Sequence, residues 1–273
     1  MPDQPFVTLN DGHVMPQLGL GVWKTEDEEA PAVIRAALAA GYRLIDTAAI
    51  YGNERGVGRG LRSGGRDEVF VTTKLWNDRQ GYDNTLRAFD ESLALLELDY
   101  VDLYLIHWPA PRQDLYVDSW RALVTLQQSG RARSIGVSNF NAEQIERIAG
   151  ETGVVPAVNQ IELHPGFQQK ALREFHQSHG IHTESWSPLG RGATLAEPAI
   201  VEIARKHGRT PAQVVIRWHL DLGLIAIPKS VRAERIRENF DVFGFRLDED
   251  DHARIAALDS PEGRSGPDPA KFP

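Results

Sequence analysis

The chain has 273 residues, 41% hydrophobic and 25% charged, and its 38 acidic and 30 basic residues leave a net charge of −8. That length supports one large core, and the acidic balance argues against a general affinity for nucleic acid or anionic membrane. Cysteine is absent, which removes disulfides, thiolate metal sites and a cysteine nucleophile.

The opening Met1-Pro2-Asp3-Gln4-Pro5 has neither the basic nor the apolar character of a secretory leader. No apolar run approaches the roughly 20 residues that cross a bilayer. The expectation is a cytoplasmic protein with no membrane or nucleic-acid partner and no metal.

Taken in chain order, Val7-Thr8-Leu9 and His13-Val14-Met15 flank Asn10-Asp11-Gly12, a hairpin signal. The first short apolar run covers 18–22. Ala30, Val33, Ile34, Ala37 and Leu38 then follow helical spacing up to Gly41. The start of that helix is open: Thr25 and Glu28 suit a capping box, while Pro31 suits a later first turn. A run at 43–45 precedes the glycine cluster Gly56, Gly58 and Gly60, which lies within a predicted helix. After a run at 69–73, Leu86, Phe89, Leu93 and Leu96 form a second stripe. A run at 101–106 leads to Trp120, Leu123, Val124 and Gln127, ended by Gly130. The run at 134–137 is followed by Ile145, Ile148 and Ala149, ended by Gly150, and the run at 157–161 by Gln168, Leu172 and Phe175, ended by Gly180. Beyond the run at 181–186, Thr210-Pro211 opens a helix. The run at 224–227 precedes a final helix from about Arg232 to Phe240. Residues Pro261 to Pro273, rich in Pro, Gly and Ser, read as an irregular tail.

Most of these eight runs are continuous rather than alternating, the pattern of parallel strands covered on both faces. Alternation with helices through one chain of this length predicts an α/β fold, a (β/α)8 TIM barrel, as a single domain over residues 1–273 with the hairpin plugging its lower end. An open doubly wound sheet is the runner-up; eight units are many for it, and no G-x-G-x-x-G follows the first run.

Barrel enzymes carry their chemistry at the C-terminal ends of the strands. Here those ends hold Asp46 with Tyr51 nearby, Lys74 with Trp76, His107-Trp108, Ser138-Asn139, Gln160, Glu162, Trp186 and Lys229-Ser230. Each residue has a plain reading. Asp46 alone serves equally well as a helix cap, His107 as a hydrogen-bonded structural histidine, and Tyr51 as packing. Together, Asp, Tyr, Lys and His make an acid–base set. A tyrosine hydroxyl starts near pKa 10; a lysine cation lowers it towards the working pH, and a buried aspartate keeps that lysine charged.

The segment Gly41-Tyr42-Arg43-Leu44-Ile45-Asp46-Thr47-Ala48-Ala49-Ile50-Tyr51-Gly52-Asn53-Glu54 resembles the first signature of the aldo-keto reductases. Thr73-Lys74-Leu75-Trp76 and Leu105-Ile106-His107-Trp108-Pro109 resemble their catalytic segments. Ile135-Gly136-Val137-Ser138-Asn139-Phe140, Asn159-Gln160-Ile161-Glu162-Leu163-His164-Pro165 and Ile227-Pro228-Lys229-Ser230 resemble their cofactor segments. The likeness runs through nearly the whole chain in order. It is nearest to the bacterial 2,5-diketo-D-gluconate reductases, through Lys74-Leu75-Trp76-Asn77-Asp78-Arg79 and Glu184-Ser185-Trp186.

The resemblance implies that hydride from NADPH reduces an aldehyde or ketone to an alcohol, with Tyr51 as proton donor, Lys74 and Asp46 tuning it, and His107 orienting the carbonyl. It implies that Ser138, Asn139 and Gln160 hold the carboxamide and that Trp186 stacks on the nicotinamide, with Ser187 and Leu189 beside it. Lys229, Ser230, Val231 and Arg235 would grip the 2′-phosphate end, Arg232 would stack on the adenine, and Glu238 and Asn239 would meet its edge. Trp23, Trp76 and Trp108, each after a strand end, would line the substrate pocket with His107. Short loops after the fourth and seventh runs predict an open pocket that argues against narrow specificity and fits small dicarbonyls, keto-sugar acids such as 2,5-diketo-D-gluconate and simple aldehydes. Short bacterial members of the family suggest a monomer.

Two other functions compete. A sugar hydrolase needs two carboxylates across the cleft, and the sequence offers Glu162 as the one spare acid. A cofactor-sensing module would keep the fold without turnover; an assay of NADPH oxidation separates it from an enzyme.

Overall fold

A computed structural model describes residues 4–62 and 66–273. Strands β1 (Phe6–Thr8) and β2 (Val14–Pro16) form the expected antiparallel hairpin. The remaining strands are β3 (Leu20–Gly21), β4 (Leu44–Asp46), β5 (Phe70–Leu75), β6 (Val101–Ile106), β7 (Ala132–Ser138), β8 (Val158–Glu162), β9 (His182–Trp186) and β10 (Ile225–Ala226), eight strands in sequence order with every pairing parallel. Each falls on one of the predicted apolar runs.

The sheet closes on itself. Leu18 bridges to Ala226 and Gly21 to Lys229, and Gly19 N–H donates to Ala226 O over 2.9 Å. Glycine at 21 allows this approach, because a Cβ there would sit 3.0 Å from the Ile227 carbonyl oxygen. Closure removes both sheet edges, so the fold is the (β/α)8 barrel.

The surrounding helices are α1 (Ala30–Ala40), α2 (Glu54–Leu61), α3 (Tyr82–Leu96), α4 (Tyr116–Gln128), α5 (Ala142–Thr152), α6 (Lys170–Ser178), α7 (Pro198–His207), α8 (Pro211–Asp221), α9 (Ala233–Phe240) and α10 (Glu249–Ala256). Several boundaries correct the sequence reading. Helix α1 starts beside Pro31 with no side-chain cap, so Pro31 and not the Thr25–Glu28 box sets its start. Helix α5 runs through Gly150 and stops at Gly153, which takes the left-handed φ of +71°. Gln168 lies before α6 rather than on its stripe. Phe240 does not end the last helix: α10 follows, capped by a reciprocal Asp248–Asp251 box. Its acidic first turn was the signal for it.

Two apolar layers hold this arrangement. The inner one joins Leu9 and Met15 to Leu44, Phe70, Leu103, Leu105, Val158 and Ile225, so the hairpin does plug the barrel floor. The outer one packs strand residues such as Ile45, Val71 and Ile106 against Ile34, Phe89, Leu123 and Ile148 on the helices. Above the inner layer, the inward positions of the strands turn polar, and that change of character locates the site.

Candidate active site

Asp46 ends β4 and Lys74 lies near the end of β5, both facing into the barrel. Lys74 is fully buried; its ammonium donates to Asp46 Oδ1 over 2.6 Å and to the Thr47 carbonyl over 2.9 Å. Tyr51 sits on the 3-10 turn Ala49–Tyr51 that follows β4, closed by Gly52 at φ +68°. Its ring centroid is 5.3 Å from Lys74 Nζ and 5.7 Å from the His107 ring, which meets it edge-on. Trp76 also packs edge-on against His107, at 5.2 Å. The four residues proposed as catalytic are thus one cluster.

Electrostatics sets their protonation. Burial pulls the Lys74 ammonium down, but Asp46, Tyr51 and Glu184 outweigh it and leave the pKa above its ordinary value. Burial pushes Asp46 up against the opposing pull of Lys74. His107 is held well below the usual histidine range, first by burial and then by the Lys74 cation, so its imidazole is neutral at neutral pH. Tyr51 corrects the sequence reading: burial raises it above its ordinary value, and the Lys74 cation only offsets part of that rise.

One residue was missed. Glu184 is fully buried on β9, facing into the barrel. The Gln160 amide bridges it to the pair, donating from Nε2 to Asp46 Oδ2 over 2.9 Å and to Glu184 Oε2 over 2.8 Å. Burial, reinforced by Asp46, pushes Glu184 up to about 8. The alternation of inward and outward residues along 182–186 was the available signal.

A cavity of about 440 Å³ opens over this cluster. Asp46, Tyr51 and His107 form its floor, and Trp23, Trp76 and Trp108 line it as expected. Asn139, Gln160, Trp186, Ser187 and Lys229 contribute the other wall. Asn139 adopts φ +63°, donates to the His107 carbonyl over 3.0 Å, and accepts the Trp186 indole N–H over 2.8 Å. Ser138 is buried behind it, its hydroxyl donating to the Gln160 carbonyl over 2.7 Å.

The rest of the predicted cofactor set lies outside this wall. Leu189 packs against the core. Ser230, Val231 and Arg232 continue from Lys229 towards α9, where Arg235, Glu238 and Asn239 follow. Ser230 is buried and its hydroxyl accepts from Arg232 N–H over 3.2 Å. Glu238 Oε1 accepts from the Thr210 hydroxyl over 2.7 Å. Among the described residues, Lys229, Arg232 and Arg235 enter no ion pair, in a chain whose net charge is −8. Free cations beside a helix start suit a phosphate.

The pocket is less open than the short loops predict. Residues of the tail, Pro267 and Phe272, line it, and the Phe272 ring lies 4.4 Å from that of Trp108. Lys24 and Arg191 stand at the mouth on Trp23, at 4.4 and 5.7 Å from its ring. Glu162 is not a spare acid. Its carboxylate accepts from Ser265 N–H over 2.7 Å, from the Ser265 hydroxyl, and from Gly266 N–H over 3.0 Å. Burial would raise it, but the nearby His164 ring and the donors of Ser265 and Gly266 prevail and hold it down at about 2.

Known proteins share this architecture. The Aldo/keto reductase family profile matches residues 16–260. An aldo-keto reductase of Mycobacterium sp. (strain JLS) is 55% identical over 270 residues, covering 98% of each chain. Methylglyoxal reductase DkgA of Salmonella typhimurium is 53% identical over 276 residues, covering 100% of this chain and 99% of its own. The crystal structure of a Gox0644 mutant in complex with NADPH superposes with a TM-score of 0.97 at 58% identity, covering 99% of both chains.

Proposed function

The chain belongs to the aldo/keto reductase family, and on that footing we propose that it reduces small aldehydes and ketones to alcohols at the cavity over Asp46, Tyr51, Lys74 and His107. It is an NADPH-dependent oxidoreductase. The observation that carries the site assignment is the Lys74–Asp46 pair, sealed from solvent at 2.6 Å directly beneath Tyr51 and beside a neutral His107.

NADPH, when bound, supplies the hydride. Trp186 offers a half-exposed ring for the nicotinamide; Asn139 and Gln160, which line the cavity, would meet its carboxamide, with Ser138 buried behind Asn139. Lys229, Ser230 and Arg235 would hold the 2′-phosphate, with Val231 alongside. Arg232 would stack on the adenine, and Glu238 and Asn239 would meet its edge. Ser187 and Leu189 would flank the nicotinamide end.

Tyr51 is the proton donor. Burial keeps its phenol protonated, the form that can donate. Once the proton moves to the substrate oxygen, the Lys74 cation stabilises the phenolate left behind. Asp46 keeps Lys74 charged inside the barrel. Neutral His107 donates a ring N–H to the carbonyl oxygen and so fixes the substrate for transfer.

The substrate class is small dicarbonyls such as methylglyoxal, the compound named for the DkgA relative, or keto-sugar acids. A cytoplasmic monomer and a single domain over residues 1–273 complete the reading. Purified protein, NADPH and methylglyoxal should show NADPH oxidation with formation of the hydroxy product. NADPH binding without turnover on any aldehyde or dicarbonyl would favour the sensing module instead.

A further inference from the structure

Glu162 ends β8 two residues after Gln160, yet its carboxylate serves no group in the catalytic cluster. The residue is 1% exposed, and its oxygens accept from Ser265 and Gly266 of the tail. His164 Nε2 lies 3.4 Å from Oε1. The tail is guided to this point by Ser260 N–H on the Gly166 carbonyl at 3.2 Å and by Asp259 Oδ1 on Gln168 N–H at 2.8 Å. Beyond it, Gly266 lies so close to Trp186 that a Cβ would fall 2.4 Å from the indole and 3.0 Å from Glu162 Oε2. The chain then delivers Pro267 and Phe272 to the cavity, and Asn77 Nδ2 donates to the Pro273 carbonyl.

We propose that Glu162 is a positioning residue: its carboxylate latches the C-terminal tail at Ser265 and Gly266, and the latch sets Phe272 as the wall that limits which carbonyl compounds fit. The substrate part of this rests on the function proposed above. The latch works in both directions. If the tail lifts, a buried carboxylate loses its donors, and such a charge is costly to leave unsatisfied. The closed tail is therefore held by a charge-assisted set, whereas its contact at Trp108 is apolar packing.

The test combines Glu162→Gln with Gly266→Ala, each checked for folding by thermal unfolding. The glutamine amide cannot accept at both oxygens, so one tail N–H is released. The alanine Cβ displaces the tail while leaving Glu162 intact. Trypsin cleavage after Arg264, followed by mass spectrometry, should be about tenfold faster in both, the scale of one lost hydrogen bond to a charged group. The ratio of kcat/KM for an aromatic aldehyde over that for methylglyoxal should rise about threefold or more, through KM and not kcat. Wild-type cleavage and wild-type selectivity in a folded Glu162→Gln protein would overturn the latch. So would a loss of kcat equal for both substrates, which would put Glu162 in the chemistry. If Glu162→Gln does not fold, an unchanged Gly266→Ala protein overturns it alone. A wild-type protein that protects Arg264 but reduces no carbonyl would remove the functional reading and leave the tail anchor standing.

Discussion

Lys74 Nζ and Asp46 Oδ1 are 2.6 Å apart with both side chains closed to solvent, and the Gln160 amide ties the same aspartate to a second buried acid, Glu184. One cation thus faces two carboxyl groups in a low-dielectric layer. Retention of one proton on Glu184 keeps that layer near neutrality.

Removal of the cation should show in the chemistry. Lys74→Met is expected to lower kcat and to move the alkaline limb of the reduction profile to higher pH, because the phenolate of Tyr51 loses its stabilising charge. The pH dependence of kcat measures this. A modest rate loss with the limb unmoved would make Lys74 structural only.

Tyr51→Phe removes the proton donor without changing the shape of the cavity floor. Carbonyl reduction should fall by at least about a hundredfold. NADPH binding, read from Trp fluorescence, should stay close to wild type, since the hydroxyl acts on the substrate oxygen. Turnover near the wild-type rate would eliminate Tyr51 as the acid.

Glu184→Gln tests the protonated acid through stability. The folded pKa of Glu184 is raised from 4.5 to about 8. Unfolded Glu184 therefore releases its proton first as pH rises, and the group costs stability progressively between those two values. The variant lacks this cost. Its stability relative to wild type should grow with pH by up to about 1.4 kcal/mol per unit through that window and level off above it. Urea unfolding at several pH values gives the difference. A difference independent of pH would mean that Glu184 is ionised in the fold.

Arg235→Ala concerns coenzyme choice. The 2′-phosphate is what distinguishes NADPH from NADH, and a guanidinium can meet it with two donors. Loss of that contact should raise the NADPH dissociation constant roughly ten- to a hundredfold, with little change for NADH. Higher salt should weaken NADPH binding more than NADH binding in the wild type. Titration of both coenzymes decides it, and equal losses would return the cluster to a solvated helix face.

Asp46, Lys74, His107 and Gln160 were legible in the sequence because each closes or adjoins a short apolar run, and the barrel rule sends those ends to one rim. The hairpin, the eight strands and most helix stops were legible for the same reason: turn chemistry and periodicity act over a few residues. Three things were settled only in the tertiary structure. Glu184 joins Asp46 through Gln160 because three strands bring their inward residues to one level, a matter of register across the sheet. The tail lines the cavity through Pro267 and Phe272, and Glu162 bonds to Ser265 about a hundred residues downstream, which no local pattern announces. Tyr51 lies above its ordinary pKa rather than below it because desolvation, a sum over everything packed around it, exceeds the pull of the one cation the sequence had placed nearby.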